Sequence, residues 1–389
     1  MFDGGNSHTA APAPAAEPPS WQRDEDWTNC RECNLRFDAY FKRKHHCRHC
    51  GYIFCSSCTS SRALLPVHFG KRDPTRVCTH CYLDLQPQQE VIAKANSNAE
   101  RENDVDLAAG SMTRYMNMPY SSTMGSEIRK ASYSMHNLFT SDWLEDKSIP
   151  QQLLADCCGI AFMTVAKAGF IFAGKVGTGL VIGKLPNGTW SAPSAIGTVG
   201  MSWGLLIGAD VTDFVVILRT MAALKAFSGV GNVQLGAGVD VALGPVGRGA
   251  NGSMNLGDKG LAPVLSYAHS KGLFAGLSLD GAIIATRPSV NFKFYGKEND
   301  PMDILTGDVG QPRAAEPLYT ALNQHTDNTG SGRGTSTCDI YDNEAGANVR
   351  GSNPAYAAPP APAYGQGQSM PPAAPSQEEE GFTVTTRTV

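Results

Sequence analysis

Eight cysteines between Cys30 and Cys81 fall into four Cys-x2-Cys pairs: Cys30 and Cys33, Cys47 and Cys50, Cys55 and Cys58, Cys78 and Cys81. No other feature restricts the folds open to this chain so tightly. The full count of 11 cysteines is odd. The opening "MFDGGNSHTAAPAPAAEPPS" has neither the basic start nor the apolar stretch of a secretory signal. A disulfide framework is therefore not expected, and closely spaced pairs are metal ligands instead. Two tetrahedral, all-thiolate Zn2+ sites account for all eight. Between Cys50 and Cys55 the chain is only "GYIF", too short for two sequential fingers to close side by side. The spacing favours interleaving, with Cys30, Cys33, Cys55 and Cys58 on the first ion and Cys47, Cys50, Cys78 and Cys81 on the second. The roughly 65 residues involved cannot build an adequate core, so the metals must supply folding energy, on the order of 10 kcal/mol per site.

Around the second cysteine pair the sequence reads "RKHHCRHCG" and crowds Arg43, Lys44, His45, His46, Arg48 and His49 together. Crowded positive charge is unfavourable alone, so an anionic ligand is expected. Side chains alternate along an extended strand, which lets Arg43 and His45 converge while Lys44 and His46 serve the neighbouring side. Arg48 and Arg76 supply planar forks suited to phosphate. The positive charge is local, because the whole chain carries a formal net charge of −4. That balance and the lack of a recognition helix argue against nucleic acid as a partner. Just upstream, "FDAYFK" offers Ala39, Tyr40 and Phe41 as an apolar tip beside cations, suited to dipping into a membrane interface. Phe37 is expected in the core.

Composition divides the rest. Residues 1–19 are Ala/Pro-rich and expected to be disordered, 20–86 form the cysteine-rich finger, and 87–125 read as a polar linker with at most one helical turn. Residues 126–322 read as a β-rich α+β domain. It opens with an amphipathic helix that places Ile128, Ser132, Met135 and Leu138 or Phe139 on one face. Met221–Phe227 reads as helix within a stretch otherwise open to strand. Recurrent glycines read as tight turns between strands, and Trp190, Pro193 and Tyr267 as packing residues. Residues 323–389 form a Pro/Gly-rich tail expected to be disordered. The most apolar region, 153–185, is broken by Asp156, Lys167, Lys175 and glycines, so no stretch is long enough to span a bilayer. A cytoplasmic protein with peripheral membrane contact is expected. Gly183-Lys184 lacks the Ser or Thr that a phosphate loop needs next, and Cys157 and Cys158 have no base in their segment. Catalysis is not expected.

With these residues in view, the finger resembles the FYVE zinc fingers. Trp21 and Asp24 form the Trp-x2-Asp start, "RKHHCRHCG" the basic strand, and Arg76-Val77-Cys78 the Arg-Val-Cys signature. The resemblance implies binding of phosphatidylinositol 3-phosphate on endosomal membranes. By that resemblance Arg48 and Arg76, with His45 or His46, hold the 3-phosphate, and Arg43 and Lys44 lie near the 1-phosphate. Asp24 accepts hydrogen bonds from inositol hydroxyls and repels lipids with further phosphates there. A RING-type ubiquitin-ligase finger shares the interleaved topology, but it usually has histidine among its ligands and needs no basic strand. Residues 126–322 resemble the SYLF family of lipid-binding, actin-regulating domains through "EIRKASYSMHNLF", "IPQQLLADCCGIAFM", "GTWSAPSAIG", "GPVGRGA", "LSYAHSKGLFAGLSLDG" and "NFKFYG". "DCCG" departs from the family pattern, which has Ala-Lys before the glycine. This second resemblance implies contact with phosphoinositide membranes, with Arg129 and Lys130 flanking the first helix, and with actin. Pro-x2-Pro matches in the tail are of the kind that Src-homology-3 domains dock. The combined expectation is a non-enzymatic adaptor joining endosomal membranes to actin. The alternative is a protein-binding scaffold, with ubiquitin-ligase activity as its sharpest form.

Overall fold

The computed structural model describes residues 18–38, 40–106, 117–140, 154, 157–231, 239–242, 247–249 and 264–326. The expectations for both tails fall almost wholly outside these residues, and those for Ala39 and the side chains of Leu138, Phe139 and Tyr267 do so entirely.

The finger has strands of two residues only: β1 (His45–His46) pairs with β2 (Ile53–Phe54), and β3 (Arg62–Ala63) with β4 (Thr75–Arg76), both antiparallel. Elements this short cannot hold themselves together. Their core consists largely of cysteines, with Phe54, Leu64, Leu65, Val77 and Leu85 added. Phe37 packs against this cluster, partly buried. Helix α1 (Thr79–Leu85) follows the last strand and buries Cys81 and Leu85.

The stretch read as a polar linker is structured over its first half. Helix α2 (Gln89–Asn96) packs Ile92 and Ala93 into the finger core. Its polar residues serve the backbone instead of solvent. Gln89 accepts from Leu64 N–H at 3.0 Å and donates to the Leu64 carbonyl at 3.1 Å. Asn96 donates to the carbonyls of Leu65 at 2.9 Å and Lys71 at 2.8 Å. Amides used this way look like linker composition because periodicity counts them as polar.

The second domain is built on three long antiparallel strands, β5 (Gly159–Gly183), β6 (Ser194–Leu218) and, further along, β10 (Val264–Thr286), in the order β5-β6-β10. Between the last two come helix α4 (Met221–Ser228) and strands β7 (Val230–Gly231), β8 (Val239–Ala242) and β9 (Gly247–Gly249), each pairing with β10. A straight strand of this length would reach about 80 Å. Instead β5 folds back on itself. A side chain at Gly177 would lie 2.6 Å from the Thr164 carbonyl oxygen and one at Gly159 2.6 Å from that of Ile182, and Gly179 abuts Phe162 in the same way. The bend lies near the register shift between Phe170 and Phe172, next to Gly169 paired with Gly208, whose φ is +137°. These glycines allow two backbones to approach closely, a different role from the tight turns expected of them.

Folding back buries both faces. Ala161, Met163, Val165 and Val181 pack with Leu224 and Phe227 of α4. The intervening Ile160, Phe162, Leu180 and Ile182 meet α3 (Met124–Thr140) and the C-terminal helices. Those helices are α5 (Pro288–Tyr295), α6 (Pro301–Thr306) and α7 (Glu316–Thr326). On α3, Ile128, Ser132 and Met135 are fully buried. Trp190 is also buried, and Tyr319 and Tyr295 donate to the carbonyls of Ser191 at 2.9 Å and Pro193 at 2.6 Å, clamping the turn between β5 and β6. Lys130 does not flank a lipid surface. It is turned inward to the buried Glu127 carboxylate at 2.7 Å and the Thr178 carbonyl at 3.2 Å, while Arg287 reaches the other Glu127 oxygen at 3.3 Å. An unpaired charge in that position would be costly, so the group is held for structure.

The two regions are joined. Ala99, just past α2, lies in the core of the second domain. Asn98 donates to the Asp73 carboxylate at 2.7 Å and to the Lys293 carbonyl at 3.0 Å. Lys297 pairs with Glu90 at 3.4 Å. Leu64, fully buried, presses on Gly296, whose φ is +79°. A branched side chain at Gly296 would be strained by that backbone and would strike Leu64. Gly296→Val should therefore lower the melting temperature of the full chain in calorimetry by several degrees, for a loss of about 2 kcal/mol or more. A melting curve unchanged from the parent would show that the two regions do not depend on this contact.

Candidate metal centres and anion-binding face

Cys30, Cys33, Cys55 and Cys58 form one group of sulfurs and Cys47, Cys50, Cys78 and Cys81 the other, with the Sγ atoms of each group within 4.8 Å of one another. This is the interleaved pairing expected from spacing. The Sγ atoms of Cys33 and Cys55 lie 3.6 Å apart, close to the edge of about 3.8 Å that Zn–S bonds of 2.3 Å give in a tetrahedron. Backbone N–H groups point at the sulfurs, Cys55 N–H at Cys30 and Cys81 N–H at Cys78, as thiolates require. Cys47 is pulled down by hydrogen bonds from Cys50 and Cys81, and the bond to Cys47 pushes Cys50 up to about 12. One thiolate per group is tolerated, but four need a divalent cation. Neither group includes a carboxylate or a histidine, so soft-ligand zinc fits the donor set. The two groups hold two zinc ions, and their role is to fold the finger.

Antiparallel pairing of β1 with β2 sends the two histidines to different surroundings. His45 sits among Arg76, Arg48 and Arg43. Partial burial first, and then those three charges, hold its imidazole below the usual value. The Arg48 backbone N–H donates to the Arg76 carbonyl at 3.0 Å, joining the two arginines through the main chain. Arg76 is steadied by the Thr59 carbonyl at 3.1 Å, and Arg48 by the His46 carbonyl at 2.6 Å. Four cation-forming side chains thus gather on one side. His46 turns the other way. Its Nε2 lies 2.8 Å from the Gln22 carbonyl, which can only accept, so that nitrogen carries the proton. The Asp24 carboxylate is 3.6 Å from the same atom, and Lys44 donates to the Asp24 backbone carbonyl.

Trp21 was legible only as a signature residue, and here it has a physical task. Its ring stacks on His46 with centroids 4.9 Å apart at 21°, and the Arg48 guanidinium lies 5.0 Å from the ring centre. The segment carrying Trp21 and Asp24 is pinned to the β1–β2 hairpin by Gln22, which donates from its backbone to Gly51 at 3.1 Å and accepts from Ile53 at 3.0 Å. At the tip, Tyr40 and Phe41 are 80% and 92% exposed, far beyond what an apolar ring in water normally shows. Lys184 stands apart from any phosphate loop. It donates to the Leu154 carbonyl at 3.1 Å, with its ammonium 5.6 Å from the Trp190 ring centre. Among the described residues no helix is long and apolar enough to cross a membrane.

A two-metal finger with a cationic strand is the class of module that this geometry defines. Residues 20–87 match the family model of the FYVE zinc finger, and residues 199–325 match that of Ysc84, described as "Las17-binding protein actin regulator". The chain thus carries a FYVE zinc finger followed by a Ysc84 (SYLF) domain, in the order expected. Met124, Ile128 and Met135 of α3 and Ile160, Ala161, Leu180 and Val181 of β5, all upstream of the matched residues, pack into the same cores as the matched part of the second domain. An SH3 domain-containing protein of Schizosaccharomyces pombe is 40% identical over 225 residues, 57% of this chain and 52% of that one. SH3 domain-containing YSC84-like protein 1 of Rattus norvegicus is 43% identical over 214 residues, 54% of this chain and 62% of its own length. LAS seventeen-binding protein 3 of Saccharomyces cerevisiae is 39% identical over 225 residues, 57% of this chain and 49% of its own. The chain therefore spans about half to three-fifths of the length of these relatives.

Metal analysis of the purified chain should return two zinc ions per polypeptide, matching the two sulfur groups. Cobalt exchange should give the intense visible absorption of tetrahedral thiolate sites. A single ion per chain, or the weak absorption of octahedral cobalt, would contradict the assignment.

Proposed function

We propose that this protein is a non-enzymatic peripheral membrane adaptor that binds phosphatidylinositol 3-phosphate on endosomal membranes through its finger and engages actin through its Ysc84-type domain. The observation that carries the first half is the gathering of Arg43, His45, Arg48 and Arg76 beside β1, with Asp24 and His46 on the flank. Arginine forks beside a partly buried imidazole suit a phosphate monoester, and a carboxylate nearby suits inositol hydroxyls while disfavouring further phosphates. Tyr40 and Phe41 stand exposed upstream of the same strand, so headgroup recognition and shallow insertion by these residues and Ala39 act together. One finger with a short apolar tip anchors only marginally, and stable attachment takes a second signal. The second domain supplies it, through lipid, actin or both. Support for actin comes from the Ysc84 family description. Docking of a Src-homology-3 domain by the Pro-rich tail belongs to the same reading.

Flotation tests this directly. The full chain should float with vesicles containing phosphatidylinositol 3-phosphate in preference to its 4- and 5-phosphate isomers, and should carry actin filaments with them. The pair Arg48→Ala and Arg76→Ala, with both zinc ions retained, should lower vesicle affinity by at least about a hundredfold, since each charge-assisted contact is worth roughly 1.5–3 kcal/mol. Equal binding to all isomers, or filaments left behind, would contradict the respective half of the proposal.

A further inference from the structure

The tip that carries Tyr40 and Phe41 is organised by a single carboxylate. Oδ1 of Asp38 accepts hydrogen bonds from three consecutive backbone N–H groups: Tyr40 at 2.9 Å, Phe41 at 2.6 Å and Lys42 at 3.1 Å. The loop is closed in the other direction by Asp38 N–H donating to the Lys42 carbonyl at 3.2 Å. Neither ring is packed against the finger, so side-chain contacts do not set the loop's shape. The Asp38 carboxylate does.

An exposed loop in water has little need of such an acceptor, because water satisfies its N–H groups equally well. The balance changes when the loop enters the headgroup and acyl boundary. There the apolar rings gain, but each backbone N–H that loses water without finding a partner costs free energy, and the cost grows with depth. Three donors at the point of deepest insertion would oppose the gain from the rings. We infer that Asp38 is a positioning residue for membrane insertion: its carboxylate satisfies the tip's backbone donors in advance, so that Tyr40 and Phe41 can be buried without stranding them. The same bonds spread the carboxylate's charge. They hold its pKa below the usual carboxylate value, with the Phe41 N–H as the first cause, so the acceptor stays ionised. Pre-forming the loop also removes part of the ordering cost at the moment of binding.

This inference rests on the membrane reading above, and the two can fail separately. In the full chain, affinity for phosphatidylcholine vesicles with and without phosphatidylinositol 3-phosphate is compared with affinity for soluble inositol 1,3-bisphosphate. Three proteins are needed: the parent, Asp38→Ala and Asp38→Asn. Asparagine keeps an acceptor oxygen at the same place and drops the charge. Asp38→Ala should bind the soluble headgroup as the parent does but lose about tenfold or more in vesicle affinity. Asp38→Asn should recover most of that loss. Unchanged vesicle affinity in Asp38→Ala would overturn the inference. So would an equal loss for vesicles and soluble headgroup, which would place Asp38 in headgroup recognition. Asp38→Asn as weak as Asp38→Ala would overturn it too, by assigning the effect to charge. A parent that binds neither vesicle would overturn this inference together with the membrane reading.

Discussion

The chain from Cys47 to Cys58 is held by both zinc centres at once, and the rest of the finger follows from that. Cys47 and Cys50 belong to one group of sulfurs, while Cys55 and Cys58 belong to the other. The turn of the short β1–β2 hairpin carries Cys47 and Cys50, and β2 runs directly into Cys55, so its register cannot slip without breaking a tetrathiolate set. Two-residue strands have no stability of their own. Here they need none, because β1 runs into Cys47, β2 into Cys55 and β4, after Val77, into Cys78. His45 and His46 are adjacent in sequence yet face opposite sides, and the fixed register keeps them there.

That rigidity extends beyond the finger. Leu64 and Leu65 pack in the cysteine-rich core, α2 joins them through Ile92 and Ala93, and Ala99 carries the chain directly into the second core. Leu64 touches Gly296 of the second domain. A flexible tether would let the two modules sample many orientations. This joint does not, so a membrane-bound finger would present the second domain in one attitude. Inside that domain, burial comes from doubling a sheet over on itself. The inner face is closed by glycine at the crossing points and the outer face by helices.

The metal ligands and their pairing were legible in the sequence because cysteine spacing has few physical solutions, and the order of the two domains was legible through the FYVE and SYLF resemblances. The amphipathic face of the first long helix was legible too, with Ile128, Ser132 and Met135 buried as the periodicity required. Other features were not. Residues 89–100 read as linker because Gln89, Asn96 and Asn98 count as polar, although their amides satisfy backbone groups from distant segments. The doubling of β5 was hidden because glycines that permit backbone contact look the same as glycines in turns. Lys130 next to Arg129 looked like a cationic pair for lipid, yet one residue of rotation on a helix sends it to Glu127. Asp38 could have been found, since aspartate just before an exposed loop commonly accepts from the following amides. The apolar rings drew attention away from it.

If zinc-fixed strand geometry creates the proposed anion site, binding of a soluble headgroup must depend on the metal. Backbone amide NMR of the full chain, titrated with soluble inositol 1,3-bisphosphate before and after zinc chelation, tests it most directly. The predicted result is a set of shifts confined to Asp24, Arg43 to Arg48 and Arg76 and their neighbours, which disappears when the metal is removed. Shifts centred on the second domain, or binding that survives loss of zinc, would contradict it.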